Sequence, residues 1–405
     1  MIIYKYGGCL KKFLLAKKYI KQISQHDASS SRDMDLDIKR CAPGEWIVLG
    51  CDENNYIIMA NPFSTTKNDL RLVCEYADTS NDQNSEYDFV KRYIFKKIHD
   101  AVEYRNKFCI KEASKRIFYG AIDGIPGLVI DKYENLISMQ VNSAGAARHY
   151  EIIMDSIRAI PSLQLPIAIV HDDSFSKSEG IPQLQGDNIS ETEIRILEND
   201  IMLSVPRKSS QKSGYYLDQA DNRRRFIEFM QKRDIAVTAS CDMFCYIGSW
   251  GISLLKSKIT KTVHFMDQAG LEEAIARNIE LNNLGSKWEF TRVNIFEELK
   301  KLDFKEYEIV ICDPPALRKI HGRNNSTAET YKKLFKEIIS RMRRDSYLVA
   351  CSCTSGIGFE EFSEVASGGS KEVQLLDIGI QSLDHPVRSL NDKGMYLKYC
   401  LYYLR

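Results

Sequence analysis

The C-terminal half of the chain alternates strongly apolar strand patterns with amphipathic helical patterns, and this alternation limits the folds open to it. From Asp234 onward, four apolar segments read AVTASCDMF, KTVHFMD, EIVICDPP and YLVACSC. Helical periodicity separates them, as in residues 271–283 and 327–343. Such alternation predicts an α/β fold with a parallel, doubly wound sheet, which means that helices cover both of its faces.

The N-terminal part has a different pattern. Between residues 44 and 76 the apolar segments WIVLGC, YIIMAN and LRLVCEY alternate with polar breaks, which predicts short antiparallel strands and turns. We therefore expect a small β-domain over residues 1–76. Residues 77–85, ADTSNDQNS, have the composition of a linker.

The middle of the chain predicts a third kind of domain. A helix is expected over about residues 87–114, and residues 117–143 contain two strand-like runs around the break at 123–127. A helix over residues 149–160 and the strand PIAIVHDD follow. A chain of 405 residues exceeds what one core usually serves. We expect a linker helix with an α+β domain over residues 77–200, and the doubly wound domain over residues 201–405.

Composition narrows the class of protein. Lysine and arginine number 56 against 55 acidic residues, so no bulk positive charge indicates a nucleic-acid partner, and RNA contacts must be local. The 11 cysteines include no CxxC pair, which favours reduced thiols and argues against a zinc site. No apolar run approaches about 18 residues. We expect a soluble, cytoplasmic protein without a metal or a membrane segment.

The polar residues of the doubly wound domain fall at strand ends, where such sheets bind ligands. Gly248 and Tyr246 lie in the turn DMFCYIGSWG, where glycine lets the backbone approach a cofactor, although an ordinary strand-to-helix turn would look the same. Asp267 ends the next strand and could accept hydrogen bonds from ribose hydroxyls or cap the following helix. Asn294 follows a third strand and could face an adenine edge.

The segment Asp313-Pro314-Pro315 is a rigid strand end that fixes a carboxylate and a carbonyl as hydrogen-bond acceptors. An enzyme that methylates an amino group usually has an aromatic residue next, to stack on the flipped base. Here Ala316 and Leu317 follow. This difference favours a ring carbon as the target.

Cys351 and Cys353 end another apolar strand and provide the nucleophile that such a carbon needs. C5 of a pyrimidine becomes nucleophilic once a thiolate has added to C6. A cysteine beside an apolar strand is more often a plain core residue. Because strand side chains alternate with a period of two, the spacing puts both thiols on one face and cannot choose between them.

Residues 206–219, PRKSSQKSGYYLDQ, combine cations, hydroxyls and aromatics before a helix. We predict RNA contacts from Lys212, Tyr215 and Gln219 in this segment, from Arg223 just after it, and from Pro314 and Pro315. Leu217 and Asp218 are predicted to contact the cofactor. Alternatively, the charged residues of this segment form only a solvent-exposed surface without a binding role.

The order SGYYLDQ, DMFCYIG, FMD, ICDPPA, CSC, LDHPV and YLK resembles the bacterial 23S ribosomal RNA cytosine-5 methyltransferases that carry an N-terminal PUA domain. The resemblance runs from about Gly44 to the C-terminus. It implies a PUA domain, a central α+β domain and a class I methyltransferase domain that uses S-adenosylmethionine. It also implies Cys353 as the nucleophile, Asp313 near N3 of the cytosine, and Gly248, Asp267 and Asn294, together with Asp313, at the cofactor.

The sequence departs from the family at two of these motifs. The family's Thr-Gly-Gly turn reads Ile247-Gly248-Ser249, and its Asp-Gln-Arg reads Asp218-Gln219-Ala220. Our leading hypothesis is a methyltransferase that forms 5-methylcytosine in large-subunit ribosomal RNA, with RNA as partner and a homodimer as one option. The alternatives are methylation of a purine nitrogen and a non-catalytic RNA-binding or assembly protein, the latter motivated by the altered turn.

Overall fold

The computed structural model of the protein describes residues 10–19, 27–51, 54–76, 86–110, 114–207, 214–285, 287–317, 326–390, 392 and 394–405. Two compact units emerge, one of residues 1–192 with 210–215 and the other of residues 193–209 with 216–405. The division into domains 1–76, 77–200 and 201–405 stays a prediction. Across the described ranges, no helix is both long and apolar enough to cross a membrane.

The first unit begins with a five-stranded sheet. Its strands are β1 (Lys11–Leu14), β2 (Ala28–Ser29), β3 (Glu45–Cys51), β4 (Asn54–Ala60) and β5 (Leu70–Tyr76), in the order β1-β3-β4-β5-β2. All pairs are antiparallel except β1 with β3, which confirms the antiparallel strands predicted for residues 44–76. Alternate side chains enter different cores: Trp46 and Val48 join one, and Ile47 and Leu49 the other.

A helix and a second sheet complete this unit. Helix α1 (Glu86–Phe108) ends six residues before the predicted boundary. Strands β6 (Lys115–Tyr119), β7 (Leu128–Lys132), β8 (Ile137–Val141) and β9 (Ile167–Val170) form a four-stranded sheet in chain order, with helices α2 (Ala144–Arg148), α3 (Tyr150–Arg158) and α4 (Asp173–Glu179). Residues 117–143 therefore hold three strands, or parts of them, where two runs were predicted. The predicted linker at residues 77–85 lies outside the described residues.

The second unit contains the doubly wound sheet. A hairpin of β10 (Glu193–Glu198) and β11 (Ile201–Pro206) precedes it. The sheet strands are β12 (Val237–Met243), β13 (Thr260–Asp267), β14 (Lys287–Arg292), β15 (Ile309–Cys312), β16 (Ser346–Ser352), β17 (Val373–Gly379) and β18 (Lys398–Leu404). Their order is β14-β13-β12-β15-β16-β18-β17, and only β18 runs antiparallel to its neighbours.

Helices cover both faces of this sheet, which confirms the predicted fold. They are α5 (Ala220–Gln231), α6 (Ser249–Lys256), α7 (Glu272–Leu281), α8 (Ile295–Glu298), α9 (Thr327–Ile339) and α10 (Phe359–Ala366). Ile309 and Ile311 pack in the core that α5 and α6 share, whereas Val310 and Cys312 pack in the core that contains α9 and α10. Because β12 to β16 are parallel, their carboxyl ends lie along one edge of the sheet.

Candidate functional site

The predicted site residues of the second unit collect at this edge. The turn of residues 244–248, here called the glycine turn, follows β12. Asp267 ends β13, Asn294 lies just beyond β14, and Asp313 follows β15 directly. Residues 352–354, here called the thiol segment, lie where β16 ends. The parallel sheet thus brings together polar groups from five separate parts of the chain.

The glycine turn is built from unusual backbone geometry. Phe244, Tyr246 and Gly248 have φ angles of 58°, 51° and 83°, all in the left-handed region that residues other than glycine rarely adopt. Glycine adopts such angles without strain, but at Phe244 and Tyr246 they mark a backbone that its surroundings hold under strain. Clusters of this kind are frequent at ligand-binding sites, so the geometry supports the prediction of a functional turn.

Asp267 holds this turn from the neighbouring strand. Its Oδ2 atom accepts a hydrogen bond from the backbone N–H of Tyr246 at 3.0 Å, and its Oδ1 atom accepts one from Ala269 at 2.8 Å. Helix α7 starts only at Glu272, so the alternative that Asp267 caps this helix is wrong. The carboxylate stays half-buried and keeps lone pairs for further donors.

A second acid stabilises the start of the helix after the turn. Asp242 is buried, and its Oδ2 atom accepts a hydrogen bond from the N–H of Gly251 at 2.9 Å. Its Oδ1 atom has no partner among the described residues. Burial raises the pKa of Asp242 to about 7 and outweighs the opposite effect of the Gly251 donor.

Asp313 is positioned by two side-chain donors. Its Oδ2 atom accepts hydrogen bonds from Gln219 Nε2 and Trp250 Nε1, each at 3.1 Å. Burial raises the pKa of Asp313 to about 6, although the Trp250 hydrogen bond and the Arg223 guanidinium act in the opposite direction. The result is a fixed carboxyl group that can exchange a proton near neutral pH.

The segment that supplies Gln219 is itself locked in place. Asn222 Nδ2 donates to Gln219 Oε1 at 2.7 Å. Arg223 donates to both carboxylate oxygens of Glu198, at 2.5 and 2.7 Å, and to the carbonyl of Tyr216 at 3.2 Å. Arg223 is only 3% exposed, which contradicts its predicted RNA contact, because its guanidinium pairs with Glu198 inside the protein.

The neighbouring tyrosines also differ from expectation. Tyr215, predicted to contact RNA, is buried, so its ring is not presented to a base. Tyr216 is 54% exposed, and its ring packs edge-on against Tyr246 with centroids 5.4 Å apart. The composition of the loop predicted an aromatic contact with RNA, but the sequence could not show which of the two adjacent tyrosines is exposed. Lys212 lies outside the described residues.

Leu217 and Asp218 are both buried beside this segment. Tyr396 donates its hydroxyl to Asp218 Oδ2 at 2.5 Å, and the backbone carbonyl of Asp218 accepts hydrogen bonds from the N–H and hydroxyl of Ser382. Ser382 also accepts from the N–H of Asp221 at 2.8 Å. The LDHPV and YLK motifs near the C-terminus therefore border the segment that positions Gln219.

Only one of the two candidate thiols is accessible. Cys351 is fully buried within the core that contains Trp250 and Tyr399. Cys353 lies just past the end of β16 and is half-buried, with Sγ 3.9 Å from the carbonyl oxygen of Pro314. The sulfur therefore sits against the Asp-Pro-Pro segment. Burial, followed by the carboxylates of Asp313 and Asp218, raises the pKa of Cys353 to about 12.

Buried hydroxyl groups hold the thiol segment. Ser352 donates to the Tyr331 hydroxyl at 2.9 Å, and this hydroxyl pairs with Thr354 Oγ1, also at 2.9 Å. Thr354 Oγ1 in turn accepts the N–H of Leu317 at 3.1 Å. This network links the segment after β16 to the segment after β15. Sequence reasoning missed Tyr331, because it lies on a distant helix with no motif around it.

Pro314 is buried and Pro315 is exposed, so of the two predicted RNA contacts only Pro315 faces solvent. Asn294 is half-buried, and its side chain forms no cap hydrogen bond with helix α8. Trp250 was part of the DMFCYIGSWG motif but was not singled out. Its link to Asp313 depends on a contact that the sequence does not show.

Comparison with known proteins decides the family. The chain is 31% identical over 297 residues to ribosomal RNA large subunit methyltransferase I of Pseudoalteromonas atlantica, a match that covers 70% of this chain and 72% of that protein. The protein belongs to this methyltransferase family. Ribosomal RNA large subunit methyltransferase I of Yersinia pseudotuberculosis is 27% identical over 293 residues, and the match covers 70% of this chain and 72% of that protein. No family model matches the chain.

Solved structures confirm the class I methyltransferase fold. A candidate SAM-dependent methyltransferase from Streptococcus mutans superposes with a TM-score of 0.73 at 18% identity, covering 97% of this chain and all of the other. A candidate methyltransferase crystallised with SAH gives a TM-score of 0.72, with the same identity and coverage. At this level of identity, the likeness establishes the fold.

Proposed function

We propose that this family member is an S-adenosylmethionine-dependent methyltransferase that forms 5-methylcytosine in large-subunit ribosomal RNA, in the cytoplasm. The observation that carries the proposal is the position of Cys353: a partly accessible thiol 3.9 Å from the carbonyl of Pro314, next to the fixed carboxyl of Asp313. A nucleophile beside a proton-exchanging acid is the pair that attack at a pyrimidine ring requires. Ribosomal RNA is the proposed substrate because the relatives are ribosomal RNA large subunit methyltransferases.

In this mechanism Cys353 forms the covalent bond to the base. Its thiolate adds to C6 of the cytosine, and the electron pair of the C5–C6 double bond moves into the ring, which makes C5 nucleophilic. When bound, S-adenosylmethionine supplies the electrophilic methyl group that C5 accepts. Loss of the C5 proton then restores the double bond and expels Cys353 as a thiolate.

Asp313 assists at the other side of the ring. Negative charge develops at N3 as the thiolate adds to C6, and a protonated carboxyl can donate a hydrogen bond there. A pKa of about 6 leaves part of the Asp313 population protonated at neutral pH. The donors Gln219 and Trp250 fix one carboxyl oxygen, Oδ2, and so determine how the group is presented.

The glycine turn and its neighbours would hold the cofactor. Asp267 is half-buried and retains acceptor capacity, which suits ribose hydroxyls. Asn294 at the next strand end offers an amide for the adenine edge. The positive φ angles of Phe244, Tyr246 and Gly248 define a tight main-chain path of the kind found beside bound ligands. The chemistry of these groups fits an adenosine-containing cofactor.

We further propose that the N-terminal five-stranded sheet is a PUA domain that binds RNA by shape and phosphate contacts. The substrate cytosine must leave its stack to reach Cys353. Tyr216, an exposed ring beside Tyr246, is the aromatic group that we assign to stacking on the displaced base.

The chemistry can be tested with RNA that contains 5-fluorocytidine. Fluorine at C5 cannot leave as a proton does, so the adduct on Cys353 persists and the protein–RNA complex survives denaturing electrophoresis. We expect this complex with the wild type and S-adenosylmethionine, and none with Cys353→Ala. Cys351→Ala is the matched control, because Cys351 is fully buried and should leave the adduct intact.

Mass spectrometry of ribosomal RNA from cells with and without the gene tests the product. We expect one 5-methylcytidine of the large subunit to disappear when the gene is absent. Loss of a methylated purine instead would overturn the proposed carbon chemistry. Calorimetry that found no S-adenosylmethionine binding would favour a non-catalytic RNA-binding protein.

A further inference from the structure

Lys398 is a buried lysine close to the thiol segment. It begins β18, and the antiparallel register pairs it with Ser352, the residue before Cys353. It is 1% exposed. Its Nζ donates to the backbone carbonyls of Thr354 at 2.5 Å and Tyr396 at 2.9 Å. Register and hydrogen bonds together fix its ammonium group beside the end of β16.

The hydrogen bonds of Lys398 are not those of an ordinary buried lysine. Both acceptors are neutral carbonyls, and within the described ranges no carboxylate lies within ion-pair distance of Nζ. A buried charge without a counter-ion is costly. An ammonium held in this way is therefore available to stabilise an anion that forms only during the reaction.

Cys353 is the group that needs such a cation. The titratable side chains that influence it are Tyr216, Asp218, Asp313, Tyr331 and Lys398. The two carboxylates raise the pKa of the thiol. The tyrosines are neutral near pH 7, and burial raises their pKa further above that range. Lys398 is the member of this set that lowers the pKa of Cys353.

We propose that the Lys398 ammonium is the counter-ion of the Cys353 thiolate and that it positions the nucleophile in its reactive, ionised form. This inference rests on the proposed function, in which Cys353 attacks the base. The influence is mutual: burial lowers the pKa of Lys398 to about 8, and the thiolate of Cys353 acts in the opposite direction. Lys398 should thus lose its charge, and its effect on the thiol, as the pH rises through about 8.

The test follows alkylation of Cys353 by iodoacetamide across pH 6–10, with the modified peptide quantified by mass spectrometry and without RNA or cofactor. In the wild type, we expect the logarithm of the rate to climb with pH and to climb less steeply above about 8. Lys398→Met should lower the rate at pH 7 about tenfold, which corresponds to roughly one pH unit in the thiol pKa. Lys398→Arg keeps its charge throughout, so its profile should climb without that break.

Gln381→Met is the matched control. Gln381 is also buried and binds the same segment, through Gly394 and Tyr396, but carries no charge. The Gln381→Met substitution should lower thermal stability and leave the alkylation profile of Cys353 unchanged. Equal rates for the wild type and a folded Lys398→Met variant would overturn the proposal. If that variant does not fold, an unbroken wild-type profile overturns it instead.

Because this assay needs no methyl transfer, its failure is separate from that of the proposed function. If the alkylation profile depends on Lys398 but the Cys353→Ala variant methylates RNA fully, the ion pair stands and the proposed methylation mechanism is refuted. If the Cys353→Ala variant is inactive but the alkylation profile does not depend on Lys398, the methylation mechanism stands and the ion pair is refuted.

Discussion

The glycine turn after β12 and the thiol segment after β16 occupy equivalent places in the sheet, but they are held by different means. The glycine turn depends on backbone conformation, with three left-handed residues and a carboxylate that accepts the N–H of Tyr246. The thiol segment depends on side chains: Ser352, Tyr331, Thr354 and, from the adjacent strand, Lys398.

This difference matches the proposed role of each segment. A turn that brings its backbone to a cofactor needs room and a fixed main-chain path. A nucleophile needs a fixed side chain and a controlled charge, which hydroxyls and an ammonium can provide. We therefore expect substitutions that add a side-chain carbon to disrupt the glycine turn. Substitutions that remove a hydroxyl or ammonium group should instead disrupt the thiol segment.

The largest expected effect is the loss of the nucleophile. Cys353→Ala should reduce methyl transfer to ribosomal RNA by at least about 10³-fold, because the other described cysteine at this strand end, Cys351, is buried. Incorporation of a radioactive methyl group measures it. Cys351→Ala should retain turnover but lose stability through the cavity that it leaves in the core. Undiminished methylation by Cys353→Ala would remove the thiol segment from the mechanism.

Adding one carbon atom should disrupt the glycine turn. In Gly248→Ala the new Cβ would lie 3.0 Å from Phe265 Cε1 at a φ of +83°, which costs about 1–2 kcal/mol in backbone strain alone. If the turn binds the cofactor, its affinity should fall about tenfold. Calorimetry with S-adenosylmethionine measures this.

Gly285→Ala is the control for Gly248→Ala. Its new Cβ would meet no atom within 4 Å, and its backbone needs no positive φ. Affinity for the cofactor should stay as in the wild type. Similar affinities for Gly248→Ala and Gly285→Ala would show that the strained backbone does not shape a cofactor site.

Trp250 lies in α6, directly after the glycine turn, and donates a hydrogen bond to Asp313. Trp250→Phe removes a donor to the carboxylate, and a donor to the ionised form lowers a pKa, so the pKa of Asp313 should rise above about 6. An increase of about one pH unit is expected from one such hydrogen bond. Infrared titration of the carboxyl band, identified by its absence in Asp313→Asn, measures it.

The control for Trp250→Phe is Trp288→Phe. Trp288 lies on β14 and packs edge-on against Phe265, and two strands, β13 and β12, separate β14 from β15, the strand that Asp313 follows. The pKa of Asp313 should be unaffected. An unchanged pKa in Trp250→Phe as well would mean that the Nε1 hydrogen bond does not tune this acid.

The smallest effect is expected in the hydroxyl network. Tyr331→Phe leaves Ser352 and Thr354 without their shared partner in a buried site, which should cost about 1–2 kcal/mol of stability. Urea unfolding measures this loss. Methyl transfer should fall only a few-fold, since Cys353 itself is retained. No loss of stability would indicate that β16 and its neighbours alone hold the thiol segment.

Much of the fold was predictable because its signals are local. The alternation of apolar strands and helices after Asp234 predicted the doubly wound sheet, and the short strands of residues 44–76 were confirmed. The end of α1 at Phe108 and the extra strand among residues 117–143 were missed. Both errors concern boundaries, which depend on contacts with the rest of the unit more than on local pattern.

The site was predictable to the same extent. Asp267, Asn294, Asp313 and Cys353 could be placed together because parallel strands end at one edge. Arg223 and Tyr215 could not be assessed in this way, since burial depends on partners such as Glu198 that lie elsewhere in the chain. A cation in a loop and a cation in a buried ion pair look alike in sequence.

The sequence by itself determined the class of fold and the order of the motifs, and it predicted a site that combines Asp313 with a thiol at the end of the next strand. Periodicity and strand-end position are properties of neighbouring residues, and they need no tertiary contact to be read. Only the tertiary structure decided that Cys353 is accessible and Cys351 is not, and that Lys398 lies opposite Ser352. Burial and strand register arise from distant segments packing together, so no local pattern could have provided them.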